Sequence, residues 1–192
     1  MTTAATNLND HARRLYDEQD TLTRSVNERR NALTPEPVAG RYTFTRTEGT
    51  TASLADLFLD HRDLLVIHNM GRRCHYCTMW ADAFIGLTRH ITRRAALVLA
   101  SPDEPEVVRA FALERGWTFP CVSTATDDAF TRDMGFRNED GSTLPGVSAF
   151  HRDQDNNITR TGVAAFGPGD VFNPAWHLFP LLAGGAAGFK PE

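Results

Sequence analysis

Leu64-Leu65-Val66-Ile67-His68-Asn69-Met70-Gly71-Arg72-Arg73-Cys74-His75-Tyr76-Cys77-Thr78-Met79-Trp80 joins three patterns in one run. Leu64 to Ile67 is a continuous apolar stretch preceded by charge, which fits a strand buried on both faces, as in a parallel sheet. Asn69 to Arg73 is polar and reads as a loop. Beyond it, Trp80, Phe84, Leu87 and Ile91 recur at the period of one helical face. Arg89, Arg93 and Arg94 then stand where the helix dipole favours cations. Two cysteines three residues apart therefore lie between a buried strand and an amphipathic helix.

That position has a chemical consequence. The first turn of a helix offers unpaired N–H groups and the positive end of the dipole, so it stabilises a thiolate relative to a thiol. Such surroundings bring a cysteine pKa from about 8.5 into the range of about 3.5 to 7.5. Cys74 is the expected attacking sulfur. Cys77, one turn inward and on the same helix face, is the expected resolving one. Arg72 and Arg73 are expected to favour the Cys74 thiolate. His75 and Tyr76, between the sulfurs, either tune the reduction potential or stand exposed with little effect. Trp80 belongs to the apolar face, where it packs in the core or covers the pair. His68 reads as a satisfied core or rim histidine rather than a base.

Reading outward, His11 to Leu33 is charged and helix-tolerant. Leu15, Leu22, Val26 and Leu33, spaced seven, four and seven, form one narrow stripe. Thr34-Pro35-Glu36-Pro37 ends it. This helix is an appendage on the domain or on a partner subunit. Residues 1–40 are thus expected as a helical extension and 41–192 as the main domain.

The domain opens with a strand at Tyr42 to Thr45, a turn at Glu48-Gly49-Thr50, and a short helix capped by Ser53 and carrying Leu54, Leu57 and Phe58. Ala95 to Ala100 is a second buried strand. Ser101-Pro102-Asp103 opens a helix with Val107, Val108 and Phe111 inward, closed by Gly116. Trp117 to Val122 is a short strand that Pro120 assigns to a sheet edge. Asp127 and Asp128 cap or enter a short helix. Val147–Phe150 and Ile158–Val163 flank Asp153 to Asn157 as a hairpin. A final helix starts near Pro174. Strands alternating with helices and then an antiparallel pair predict an α/β fold with a mixed sheet covered on both faces.

The chain has 192 residues, 41% apolar and 23% charged, with a net charge of -4. This suits one globular domain with a full core. The weak acidic balance speaks against a nucleic-acid partner. The short apolar runs speak against a membrane partner, and the polar, small start speaks for a cytoplasmic location. Nineteen of the 20 basic residues are Arg, which fits guanidinium recognition of anions or a compositional habit. Three cysteines do not form an extracellular disulfide framework. A zinc site needs four ligands, and only Cys121 and scattered histidines accompany the pair.

Several blocks carry a family resemblance. They are Leu22-Thr23-Arg24 with Arg29-Arg30, Leu54-Ala55-Asp56-Leu57-Phe58, and His68-Asn69-Met70 followed by Cys74, Cys77 and Trp80-Ala81-Asp82. Gly116-Trp117-Thr118-Phe119-Pro120 and Pro145-Gly146-Val147-Ser148 complete the set. Together they resemble a bacterial thioredoxin-like family known mainly as a domain of unknown function. Its members are labelled predicted dithiol-disulfide oxidoreductases or placed near the alkyl-hydroperoxide-reductase/thiol-specific-antioxidant, peroxiredoxin-like proteins.

The resemblance implies a thioredoxin-like three-layer α/β/α sandwich with an added N-terminal helix. It further implies catalysis by Cys74 and Cys77, with Arg73, His75, Tyr76, Trp80 and Pro145 tuning the pair or facing substrate. Pro145 is the candidate for the cis proline that faces the cysteines in such folds, or else a plain turn proline. No organic cofactor or metal is implied. Electrons come from a partner dithiol, and the substrate is a protein or small-molecule disulfide or thiol. A homodimer through the N-terminal helix is one reading of its stripe.

The loop after Met70 looks shorter than in relatives, and Cys121 stands where an aromatic residue is expected. A peroxiredoxin-like thiol peroxidase is the alternative activity, although Met70-Gly71-Arg72-Arg73 lacks the Pro and Thr of that pattern. A non-enzymatic module holding zinc or a partner is the other alternative. Cys121 itself reads as buried and inert rather than as a relay thiol.

Overall fold

A computed structural model describes residues 7–192, so most of the polar start expected over Met1 to Asn9 lies outside the described residues. The chain divides into two compact units, one ending at Thr34 and one beginning at Pro35. The first is helix α1, Leu8–Asn31, capped by the Asn7 side chain, which accepts the Asn9 N–H. It buries none of its residues.

The second unit holds strands β1 (Glu36–Pro37), β2 (Thr43–Arg46), β3 (Thr51–Ser53), β4 (Asp63–His68), β5 (Ala96–Ser101), β6 (Cys121–Ser123), β7 (Gly146–Arg152) and β8 (Ile158–Ala165). Its helices are α2 (His75–Ile85), α3 (Thr88–Ile91), α4 (Pro105–Arg115), α5 (Ala129–Asp133) and α6 (Ala175–Leu178). The sheet order is β1-β8-β7-β4-β5-β6-β2-β3. β4, β5 and β6 run parallel, and every other pairing is antiparallel. This is the α/β fold with a mixed sheet that the sequence predicts. The sequence reading begins the domain near Arg41, but the sheet also takes in Glu36 and Pro37, which pair with Arg160 and Thr159 of β8.

Alternate residues of the central strands serve two cores, as the two-residue period of a strand requires. Leu64, Val66, Ala96, Val98, Ala100, Val122 and Phe150 meet Phe44, Phe58 and Phe130 on one face. Ile67, Leu97 and Leu99 meet Trp80, Phe84 and Val108 on the other. Both faces of the sheet are therefore apolar and covered, which gives the three layers.

Several local expectations change. The helical face from Trp80 to Ile91 is split, because α2 stops at Gly86 and the Thr88 hydroxyl donates back to the Phe84 carbonyl at 2.8 Å. Leu87 consequently points outward. Ser53, expected as the cap of a short helix, ends a strand that the sequence does not announce, and its Oγ still accepts the Asp56 N–H at the start of a 3-10 turn, Ala55–Phe58. The final helix is a single turn followed by a 3-10 turn, Phe179–Leu181.

The strand holding Cys121 is not an edge. β6 lies between β5 and β2, because the β2–β3 hairpin adds onto it. Pro120 does not prevent this. It lies just before the ladder, where only its carbonyl is used, accepting the Leu99 N–H at 3.0 Å.

Candidate functional site

The chain leaves the parallel strand β4 at His68 and must turn into α2 within six residues. The turn is tightly specified. The Asn69 N–H donates to the Ala100 carbonyl, and its side chain accepts the Gly71 N–H at 2.7 Å. Gly71 has φ +94°, and a Cβ there would lie 2.9 Å from an Asp103 carboxylate oxygen. Asp103 in turn accepts the Arg72 N–H at 2.6 Å. The Cys74 N–H then donates to the Gly71 carbonyl at 3.0 Å. Loops after two neighbouring parallel strands thus fix the backbone that presents Cys74, at the carboxyl ends of the central strands, where such folds gather their sites.

Cys74 is the N-cap of α2, a role usually filled by an oxygen side chain. Its sulfur accepts the Cys77 N–H at 3.2 Å. The Cys77 thiol, the Cys77 N–H and the Tyr76 N–H hold the Cys74 thiol down at about 6, against the opposing effect of burial. Cys74 is half-buried, whereas Cys77 is 3% exposed. Cys77 keeps its proton. Its hydrogen bond to Cys74 raises its pKa strongly, and burial adds to this. All three cysteines are free thiols.

Arg72 and Arg73 are exposed, and the Cys74 thiolate rests on hydrogen bonds from its own helix turn rather than on their guanidinium groups. His75 is exposed as the first residue of α2. Tyr76 is half-buried and stacks on Trp176 with ring centroids 6.0 Å apart. Trp80 is 2% exposed and packs 5.4 Å from the Phe166 ring, in the core beneath α2.

Pro145 precedes Gly146, which pairs with His68, so the chain enters β7 beside the end of β4 from which the motif loop departs. The expected cis bond is not found. Every described peptide bond is trans. The trans chain places the Leu144 N–H on the Phe136 carbonyl and the Pro145 carbonyl on the Phe166 N–H. Trans is also the intrinsic preference, by about 0.5–1 kcal/mol.

Cys121 is 7% exposed and burial pushes its thiol up to about 12, which suits an inert core sulfur. His68 is 2% exposed, stacked on Phe136 at 3.7 Å and bonded to the Ser148 hydroxyl at 2.9 Å. Asp127 accepts the Ala129 N–H, and Asp128 pairs with Arg132 and Arg137, as helix-start residues do.

Three contributors escape the sequence reading. Met70 places its sulfur 3.9 Å from Cys74 Sγ, while its backbone N–H donates toward the Cys77 sulfur. Asp103 has a readable signal: it follows the strand next to β4, where parallel neighbours gather their loops. Asn173, 2% exposed, donates to the Met79 carbonyl at 3.1 Å and ties the C-terminal segment to α2. Nothing in its local sequence marks it. Among the described residues, no three His, Cys, Asp or Glu side chains gather as metal ligands.

A mixed sheet with helices on both faces, parallel at its centre and extended by an antiparallel hairpin, is a thioredoxin-like fold. The chain belongs to the family described as bacterial protein of unknown function (DUF899), whose model matches residues 2–187. No curated protein sequence matches it. Among solved structures it resembles the peroxidoxin BcpB of Mycobacterium tuberculosis at 22% identity and a TM-score of 0.57, over 82% of this chain and 98% of that one. Peroxiredoxin Q of Xanthomonas campestris gives 20% identity and a TM-score of 0.56, over 84% and 99%. A cysteine-to-serine mutant of the PrxQ of Xylella fastidiosa gives 13% and 0.55, over 67% and 86%. These likenesses establish the shared fold. No helix among the described residues is long and apolar enough to cross a membrane.

Proposed function

We propose that this protein is a dithiol–disulfide oxidoreductase working through Cys74 and Cys77. The observation that carries the reading is the asymmetry of the pair: one half-exposed sulfur held as a thiolate at about 6, and one buried sulfur that keeps its proton. Cys74 attacks a substrate disulfide and forms a mixed disulfide. Cys77 then attacks Cys74, releasing the reduced product as a thiol. The substrate is a protein or small-molecule disulfide, a partner dithiol supplies electrons in the reducing cytoplasm, and no cofactor takes part. Reduction of insulin disulfides with dithiothreitol as electron source tests this. Cys74→Ser should abolish turnover, and Cys77→Ser should accumulate the mixed disulfide. Turnover surviving Cys74→Ser refutes the assignment.

A thiol peroxidase is the second reading, favoured by the fold shared with the peroxidoxin and peroxiredoxins above. Rapid hydroperoxide consumption through a Cys74 sulfenate would support it. The loop Met70 to Arg73, without the Pro and Thr of the peroxiredoxin pattern, weighs against it.

As for partners, α1 suits a second copy of the chain. Its stripe, extended upstream by Leu8, gives Leu8, Leu15 and Leu22 at heptad spacing, with Ala12, Gln19 and Val26 at the alternating positions, and it buries nothing of its own. Sedimentation velocity should show a dimer that Leu15→Ser with Leu22→Ser dissociates. A monomer at tens of micromolar in the native chain would reject this.

A further inference from the structure

Met70 stands against both sulfurs of the pair. Its thioether lies 3.9 Å from Cys74 Sγ, and its backbone N–H donates toward Cys77. The residue is also 36% exposed, so an oxidant in solvent reaches its side chain. The loop offers it little freedom to leave, because Asn69 and Gly71 on either side are fixed by the contacts to Ala100 and Asp103. An exposed thioether is oxidised to a sulfoxide by hydroperoxides, and only a reductant restores it. Here a thiolate stands in van der Waals range of the atom that would be oxidised, with a second thiol behind it.

We propose that Met70 is an oxidation site serviced in place by the cysteine pair, so that the protein reduces its own methionine sulfoxide. A hydroperoxide gives one oxygen to the Met70 sulfur as its O–O bond breaks, and leaves as an alcohol or water. The Cys74 thiolate attacks the oxygen of the protonated sulfoxide. The S–O bond breaks, the oxygen passes to Cys74 with a solvent proton as a sulfenic acid, and the thioether is restored. Cys77 then attacks the Cys74 sulfur, forming the S–S bond and expelling the oxygen as water. Two thiols are oxidised and one sulfoxide is reduced. A partner dithiol returns the disulfide to the starting state by exchange. Met70 thereby gives hydroperoxide a route to the pair that needs no direct encounter with Cys74.

The geometry makes the step intramolecular, which is the source of its selectivity. A held thiolate acts at a high effective concentration on one methionine and not on the others. Met79, on α2 and two residues beyond Cys77, serves as a comparison within the same molecule.

The test uses the full chain with the pair first oxidised to its disulfide, then exposed to hydrogen peroxide so that methionine takes up the oxygen. Peroxide is removed, dithiothreitol is added, and the tryptic peptide Asp63–Arg72 is weighed over time. Its added oxygen should vanish about tenfold or more faster than that on Met79, as an intramolecular reaction requires, and should persist in Cys74→Ser.

Persistence at Met70 in the native chain, or equal loss in Cys74→Ser, overturns the proposal. So does a failure of Met70 to oxidise while Met79 does. The inference rests on the dithiol reading, and insulin reduction by the same sample separates the two. A pair that cycles on insulin while the Met70 sulfoxide persists sinks the repair alone. A pair that does not cycle sinks both.

Discussion

The backbone N–H of Cys77 points at the sulfur of Cys74 across 3.2 Å. One helix turn thus gives the attacking sulfur a donor whose position is fixed by the fold. Together with the Cys77 thiol, the larger contributor, this donor favours the thiolate, so the reduced protein should react with iodoacetamide at Cys74 with a midpoint near pH 6, well below a free thiol. Mass spectrometry of the Cys74 peptide from pH 4 to 9 checks this. In Cys77→Ala the thiol donor is lost while the N–H remains, so the midpoint should rise but stay below about 8.5. A native midpoint in the free-thiol range removes the basis for the mechanism.

Stability should follow the same proton. The folded pKa of Cys74 lies below its unfolded value of about 8.5, so the unfolded chain still holds a proton that the folded chain has lost. The reduced protein therefore gains stability as pH rises from about 6 towards that unfolded value. The raised pKa of Cys77 acts above that window and in the opposite sense. Urea unfolding at pH 6 and pH 8, on reduced and oxidised samples, should show a larger gain in the reduced form, because the disulfide has no thiol to ionise and any histidine contribution is common to both. Equal pH slopes in both forms would reject the assignment.

The buttress under the loop makes a third prediction. Asp103→Ala leaves the Arg72 N–H without its acceptor and frees the Gly71 turn. The expected loss of stability is about 1.5 kcal/mol, the order of a hydrogen bond to a charged group, with a several-fold lower rate of Cys74 alkylation at pH 7. Gly71→Ala should cost about 1–3 kcal/mol, because its φ of +94° suits only glycine and the new Cβ meets the Asp103 carboxylate. Wild-type stability and rate in both variants would mean that the loop is held otherwise.

The readable part of this site is the part made by neighbours in sequence. Leu64 to Ile67 is apolar throughout because both faces of its strand are covered, and that also locates the Cys74 turn. The spacing of Cys74 and Cys77 makes one turn of helix, so their asymmetry follows from position alone. Asn173 and Trp176 reach α2 from the far end of the chain, and no local pattern encodes that return. The edge position expected for Cys121 fails for a related reason. Pro120 does remove a donor, but whether a strand lies at an edge is decided by the β2–β3 hairpin, far upstream. Pro145 is a third case, since the trans bond agrees with hydrogen bonds to Phe136 and Phe166 that the sequence does not reveal.

The last prediction concerns acid. His68 is buried between Phe136 and Phe130, and burial, with the nearby Arg160 charge, holds its pKa down at about 3. The Arg160 guanidinium donates to the same Ser148 hydroxyl that His68 meets, so a protonated imidazole would face a fixed cation across one oxygen. Below the unfolded histidine pKa of about 6.5, the unfolded chain binds a proton that the folded chain refuses. Stability must then fall with pH, by up to about 1.4 kcal/mol per pH unit from this one group. Between pH 6.5 and 4.5 most carboxylates are still charged, so the slope there belongs largely to histidine. His68→Phe keeps a flat ring between the two phenylalanines and removes the titrating group. Urea midpoints across that range should fall with acid in the native protein and flatten in the variant. An unchanged slope in His68→Phe would show that this imidazole titrates freely and is not sealed in the core.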